Sequence, residues 1–290
     1  MIARALLRAL AAAVGALPWR SLRACGALLG ALVGSVLRIR RAHVERSLAR
    51  AGVVRPDAVA RAMYASLGAG LCELLWVVGR PRAPLDRLVS LSPEAAAVVA
   101  RRRGLGAVVA TAHLGNWDLA ACAVASAVPL TVVTKRLHVA TLDRFWQGAR
   151  AARGVRLVGA RGALAAAREA LAGGGFVAFV VDQAPERGSG VSRLPFLGAP
   201  ALCDRAPAAL AARARVPLVL ALDRRLADGT HRVDVPLVLE PPPRAGAAWV
   251  EEATARVQRA LEAAVLADPS QWLWMHRRWK GALLDARPGV

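Results

Sequence analysis

The 290-residue chain predicts an α/β fold: a mainly parallel sheet with helices on both faces, preceded by N-terminal apolar membrane-anchoring helices. Three observations carry that expectation. Beyond Ser92, short continuous apolar runs alternate with Ala-rich helical stretches, the pattern of a sheet buried on both faces. Two of the apolar runs end in polar clusters, His113 to Asp118 and Asp182-Gln183. The first 37 residues are two apolar helical runs followed by Arg38, Arg40 and Arg41. At 30.4 kDa the chain fits one large domain, so we divide it into an anchoring segment, 1–40, and an α/β domain, 41–290.

Taken in order, the N-terminal runs cover 2–17 and 21–37 and are separated by Pro18-Trp19-Arg20. Crossing a bilayer takes about 20 predominantly apolar residues, and Arg4, Arg8 and Arg23 interrupt these runs. An interfacial or shallowly inserted anchor is favoured over a full span; a cleaved signal peptide is a further alternative. Gly26, Gly30 and Gly34 recur at the spacing that lets helix backbones approach closely, and the arginines after them hold that end on the cytoplasmic side. The stretch 56–78 places Met63, Leu67, Leu71, Leu74 and Leu75 at helical spacing, which predicts a helix over the sheet with Glu73 solvated or paired. Strands are expected at 106–112, 130–134, 155–158, 176–181 and 216–222, with helices at 116–127, 141–152, 162–172 and 204–214. A strand at 232–239 follows the Asp228-Gly229 turn signal and should pair antiparallel with its predecessor. A long helix, 247–266, follows Pro241-Pro242-Pro243. The Gly- and Pro-rich stretch 184–200 reads as a long functional loop.

The formal charge of +20 and pI of about 11.7 call for an anionic partner. Nucleic acid is disfavoured, because the mean hydropathy is +0.38 and there is no zinc-finger spacing or basic low-complexity tail. An anionic membrane surface satisfies both charge and hydropathy, although an Ala- and Arg-rich composition can also follow from genomic base bias. Cys25, Cys72, Cys122 and Cys203 form no C-x-x-C pair and read as reduced small hydrophobes. The five scattered histidines suggest no metal site.

The chemistry concentrates in His113-Leu114-Gly115-Asn116-Trp117-Asp118. A strand ending at Ala112 would leave His113 at its carboxyl end, where open α/β sheets bind ligands. Gly115 supplies the turn, Asn116 the N-cap, and Asp118 falls in the first helical turn. Positions five apart on one helix point roughly 140° away from each other, whereas a strand end and a helix start can bring them together. Asp118 is thus expected to accept a hydrogen bond from one ring nitrogen of His113 and leave the other as a general base. The plainer alternative is a satisfied core histidine and an ordinary first-turn acid. Asp182-Gln183 ends another buried strand, with a solvent-facing strand-end acid as its plainer alternative. In 271–280, Trp272, Trp274 and Trp279 interleave with His276, Arg277, Arg278 and Lys280, which suits a headgroup-level interface; the alternative makes Trp272 and Trp279 core anchors.

In order and spacing these blocks resemble the bacterial lipid A biosynthesis acyltransferases, the lauroyl and myristoyl transferases of the lysophospholipid acyltransferase superfamily. The resemblance covers the apolar N-terminus, His113 to Asp118, Asp182-Gln183, Pro195-Phe196-Leu197-Gly198 and 271–280. It implies transfer of a fatty acyl chain from an acyl carrier protein thioester to a hydroxyl of a lipid acceptor, a lipid A precursor, at the cytoplasmic face of the inner membrane. His113 would deprotonate that hydroxyl and Asp118 would orient the ring. Asn116, Arg136, Arg150, Asp182 and Gln183 would bind substrate, with Arg136 or Arg150 holding a phosphate. No cofactor is implied beyond the thioester co-substrate. No acyl-enzyme is required either, and the chain has no G-x-S-x-G elbow. Departures lie at Lys135-Arg136-Leu137, which lacks the usual flanking aromatic and proline, at Leu197 and Cys203, and at Asp118, where the family often has Glu. They leave open another glycolipid, a glycerolipid or an ornithine-type lipid as acceptor. The rival from another class is a non-catalytic membrane protein that binds anionic lipid.

Overall fold

A computed structural model describes residues 2–135, 137–159, 162–185 and 190–281. Its first elements are helices α1 (Ile2–Gly15), α2 (Leu22–Ala31), α3 (Arg41–Arg50) and α4 (Pro56–Gly79). The α/β part then runs β1 (Val89–Leu91), α5 (Pro93–Arg102), β2 (Ala107–Thr111), α6 (Trp117–Ala125), β3 (Leu130–Thr134), α7 (Ala140–Ala151), β4 (Val155–Gly159), α8 (Ala163–Ala172) and β5 (Phe176–Val180). It closes with β6 (Val191–Phe196), β7 (Ala199–Asp204), α9 (Ala206–Ala214), β8 (Leu218–Arg225), β9 (His231–Leu239) and α10 (Ala247–Ala267).

Seven strands form one sheet in the order β1-β9-β8-β2-β5-β3-β4. Every neighbouring pair is parallel except β8 with β9, which the tight turn at Asp228-Gly229 makes antiparallel. Because side chains alternate along a strand, β2 sends Val108 and Ala110 to one core and Val109 to another. The first core lies under α8, α9 and α10; the second lies under α5 and α6 and extends to Cys72, Trp76 and Val77 of α4. Helices therefore cover both faces, and the carboxyl ends of β2 and β5 lie side by side near the centre of the sheet.

The helical N-terminus is held by close backbone approach. A Cβ on Gly26 would fall 2.2 Å from the Ala69 nitrogen, and one on Gly30 would fall 2.4 Å from the Tyr64 oxygen. The glycine repeat therefore forms a seam on α4. α2 continues through a π-helical turn, Leu32–Val36, after which Arg38 and Arg40 adopt left-handed backbone (φ 51° and 57°) and turn the chain through 94° into α3. α4 is long and apolar enough to cross a membrane, yet 56% of its most apolar window is buried against the rest of the protein. Leu6, Leu10, Leu28, Leu32, Val36 and Leu37 face outward.

Two expectations are corrected. Within the stretch 184–200, the residues from Val191 on are not an irregular loop: β6 and β7 pair antiparallel across Leu197-Gly198, both at positive φ. Prolines at 195 and 200 masked this hairpin, since proline is tolerated only where a strand is unpaired on one side. In 271–280 the core-anchor alternative holds over the headgroup reading for the tryptophans: Trp272, Trp274 and Trp279 are buried in the first core. β1, α3 and α5 are additional elements. α3 is too rich in Arg, His and Glu to show an apolar stripe, and β1 has three residues.

The seam predicts that Gly30→Val lowers the thermal midpoint sharply, because the new side chain meets backbone that cannot move aside and overpacking alone costs about 1–3 kcal/mol. Gly148→Ala, in α7 with open space around it, should instead gain about 0.5–1 kcal/mol. Thermal denaturation of the two variants checks the contrast.

Candidate active site

Strands β2 and β5 are parallel and in register, Thr111 opposite Val180. Two residues further on, His113 and Asp182 are neighbours by the same register. Adjacent strands lie about 4.8 Å apart, which is hydrogen-bonding range for their side chains. Asp182 accepts three hydrogen bonds: from the His113 main-chain N–H at 2.9 Å, from His113 Nδ1–H at 2.9 Å and from the Trp272 indole N–H at 2.8 Å. Nδ1 thereby donates to the carboxylate, and in the neutral ring Nε2 keeps its lone pair. Trp117 packs edge-on to the ring, 4.6 Å between centroids, and the Gln183 amide nitrogen lies 3.3 Å from Nε2.

This changes the partner expected for His113. Asp118 sits in the first turn of α6, but its carboxylate meets the Arg150 guanidinium of α7 at 2.5 Å, and no hydrogen bond joins it to His113. The helix start aims Asp118 toward α7, while the ring faces across the sheet to the adjoining strand end. His113, Asp118, Arg150 and Gln183 all line one cavity. Asn116 does not line it. Its side chain caps α6 by accepting the Leu119 N–H at 3.1 Å and donates to Gly70 and Glu73. Arg136 lies outside the described residues. Glu73 is paired, with Arg225 at 2.9 Å.

Electrostatics follow from burial and partners. Burial pushes the His113 imidazole pKa down, but the Asp182 charge and hydrogen bond outweigh it, so the pKa is raised from 6.5. Burial raises Asp182, yet His113 and the other donors hold its carboxyl below the usual range. For Asp118 burial wins and the pKa is raised, with Arg150 and His113 pulling back. His276 is driven down to about 4, chiefly by burial; its Nε2 accepts the Ala184 N–H at 3.0 Å and so pins the chain just after Gln183.

The cavity measures about 840 Å³, within the range of about 300–1,000 Å³ usual for ligand pockets. From His113 it runs along the second core face past Val109, Val132, Ala178 and Val219 to Leu130 and Phe176, under Val98 of α5 and Val124 of α6. His113 lies six residues beyond the level of Phe176, which pairs with Ala107, so the lining of this apolar arm extends over about 20 Å of strand. Val133, Phe179, Val181 and Val191 also line the cavity. Lys135, Gln147 and Arg150 add polar groups to the lining. Among the described residues no three His, Cys, Asp or Glu side chains converge as metal ligands would.

A family model for bacterial lipid A biosynthesis acyltransferases matches residues 2–281, nearly the whole chain. The chain belongs to that family. It is an acyltransferase of lipid A biosynthesis, which takes an acyl donor and a lipid acceptor. No curated protein matches it. In this acyltransferase, sequence reasoning missed Trp272 as a ligand of Asp182 and missed the pairing of Asp182 with His113. The available signal was that both polar clusters begin two residues past a strand end.

Asp182→Asn should reduce kcat by about 10²–10⁴-fold and move the acid limb of the pH–rate profile to lower pH. A base works only when neutral; without the Asp182 carboxylate, burial outweighs the remaining pull of the Asp118 charge on His113 and its pKa falls. Rates measured between pH 5 and 9 check the direction; an acid limb that stays in place would contradict the pairing.

Proposed function

We propose that this acyltransferase moves a long fatty acyl chain from an acyl carrier protein thioester to a hydroxyl of a lipid A precursor, at the cytoplasmic face of the inner membrane. The observation that carries the mechanism is His113 at the cavity wall, with Nδ1 held by Asp182, which leaves Nε2 of the neutral ring to accept a proton. The acceptor hydroxyl gives its proton to Nε2 as its oxygen attacks the thioester carbonyl carbon. The tetrahedral intermediate then collapses, the carbon–sulfur bond breaks, and the departing sulfur takes the proton from Nε2. The products are an ester and the free carrier thiol, and no bond to the enzyme forms. Asp182 stabilises the imidazolium between the two transfers.

Arg150 lies beside the reacting centre with Asp118, so this pair supplies oriented charge there. Arg150, with Lys135 and Arg136 from the preceding segment, is suited to a phosphate of the acceptor or of the carrier's prosthetic arm. Gln183 is placed to donate to the substrate. The apolar arm takes the donor chain: ten buried methylenes contribute about 8 kcal/mol, so hydrocarbon rather than headgroup contacts dominate donor binding. The outward leucines of α1 and α2, with the arginines beside them, make 1–40 an anchor lying in an anionic interface. The charge of +20 also draws an acidic carrier protein.

His113→Ala should remove transfer from a dodecanoyl carrier thioester to a lipid A precursor while leaving the protein in the membrane fraction; retained activity would reject the mechanism. Ala178→Leu, on the floor of the apolar arm, should shift the preferred donor toward shorter chains. Competition among carrier thioesters of different lengths reads that shift.

A further inference from the structure

Beside the catalytic turn, four ionisable side chains are closed off from solvent, none more than 7% exposed: Glu73 from α4, Asp223 and Arg225 from β8, and His231 from β9. Arg225 grips Glu73 with two nitrogens at 2.9 Å each and donates a third bond to Ser66 at 2.7 Å. His231 donates from Nδ1 to Asp223 Oδ2 at 2.7 Å, and its Nε2 makes an ion-pair contact with Glu73 at 3.2 Å. Buried ion pairs are a poor route to stability, since apolar side chains of similar volume are often neutral or better. What distinguishes this cluster is the backbone it holds.

Asp223 Oδ2 also accepts the Asn116 main-chain N–H at 2.6 Å, and Glu73 accepts the Asn116 side-chain amide at 2.9 Å. Gly115, at φ 61°, lies so close to Asp223 that a Cβ there would fall 2.3 Å from Oδ2. From the other side, the Gly115 N–H bonds the Gln271 oxygen at 3.0 Å, and the Leu273 N–H bonds the His113 oxygen at 3.1 Å. The Gln271 side chain in turn bonds the main chain of Arg225 in both directions, at 2.8 and 3.0 Å. Apart from the His113 N–H on Asp182 and the Asp118 carboxylate on Arg150, the fixed points of the turn lead back to this cluster or to the strand that carries it.

We propose that Glu73, Arg225, His231 and Asp223 are positioning residues that set the backbone of the His113–Asp118 turn and so link the long apolar helix α4 to the catalytic base. The inference rests on His113 being that base. The groups facing His231 are Asp223 and Arg225 on β8 and Glu73 on α4, with the neutral Asn116, Ser66 and Gln271 around them. Burial lowers the His231 pKa, but the two carboxylates overcome it and hold it at about 9. With His231 charged, two anions balance two cations. As pH rises through about 9 the proton leaves, a net negative charge is stranded against Asn116, and the contribution of the cluster is lost.

The test uses the full chain in detergent, with Glu73→Gln and Asp223→Asn compared by kcat, KM for an acyl carrier thioester, and thermal midpoint. Displacing a base by about 1 Å can cost about 100-fold, so kcat should fall 10- to 100-fold while KM stays within about twofold. The wild-type rate should decline at alkaline pH around 9, and in Asp223→Asn that decline should move to lower pH. Folded variants with kcat within twofold of wild type, whatever their thermal midpoints, would overturn the proposal. Should neither variant fold, the wild-type profile decides: a fall near pH 9 supports it, and a rate level to pH 10 overturns it. Loss of activity in His113→Ala combined with unchanged Asp223→Asn would sink the positioning role alone; full activity in His113→Ala would sink both readings.

Discussion

Three hydrogen bonds to one buried carboxylate organise this site: Asp182 takes the main-chain and ring N–H groups of His113 and the indole N–H of Trp272. The first fixes where the strand end stops, the second selects the ring tautomer, and the third ties the C-terminal segment to the sheet. A carboxylate in an apolar site is costly unless its lone pairs are satisfied. Here the donors come from two places far apart in sequence, so the anion is stable only in the assembled fold. Ring orientation and basicity both follow from that arrangement, and the Gln271 to Leu273 contacts keep the turn from drifting.

A second division of labour concerns the cavity. Its polar end carries the dyad, the Asp118–Arg150 pair and Gln183, while the arm beneath α5 and α6 is lined largely by alanine and valine side chains, with Leu130 and Phe176 at its far end. Alanines and valines leave the space that leucines would fill. On the proposed reading, the electrostatics and the hydrocarbon binding are set by different elements, and chain-length preference can change without disturbing His113.

Much of this was legible in the sequence because local patterns report local structure. Apolar runs such as 107–111 and 176–180 announced strands, Asp228-Gly229 announced the β8–β9 turn, and Gly26, Gly30 and Gly34 announced a tight helix contact. His113 and Asp182 each showed as a polar residue past a strand end. What could not be read was that β2 and β5 are neighbours, since strands 60 to 70 residues apart meet only through topology, and so Asp118 looked like the partner by proximity in sequence. Asn116 was legible as a cap but not as the point where a buried ionic cluster seizes the turn, because Glu73, Asp223 and His231 come from three separate elements. The β6–β7 hairpin stayed hidden behind its prolines, and the tryptophans of 271–280 carry the same pattern whether they face lipid or core.

The most direct measurement is nitrogen NMR of the His113 ring in the detergent-solubilised chain, with the wild type set beside Asp182→Asn and Asp118→Asn. A protonated Nδ1 and bare Nε2 are predicted in the wild type and in Asp118→Asn, with that tautomer lost in Asp182→Asn. A proton resident on Nε2 in the wild type, or a tautomer that responds to Asp118 and ignores Asp182, would contradict the account.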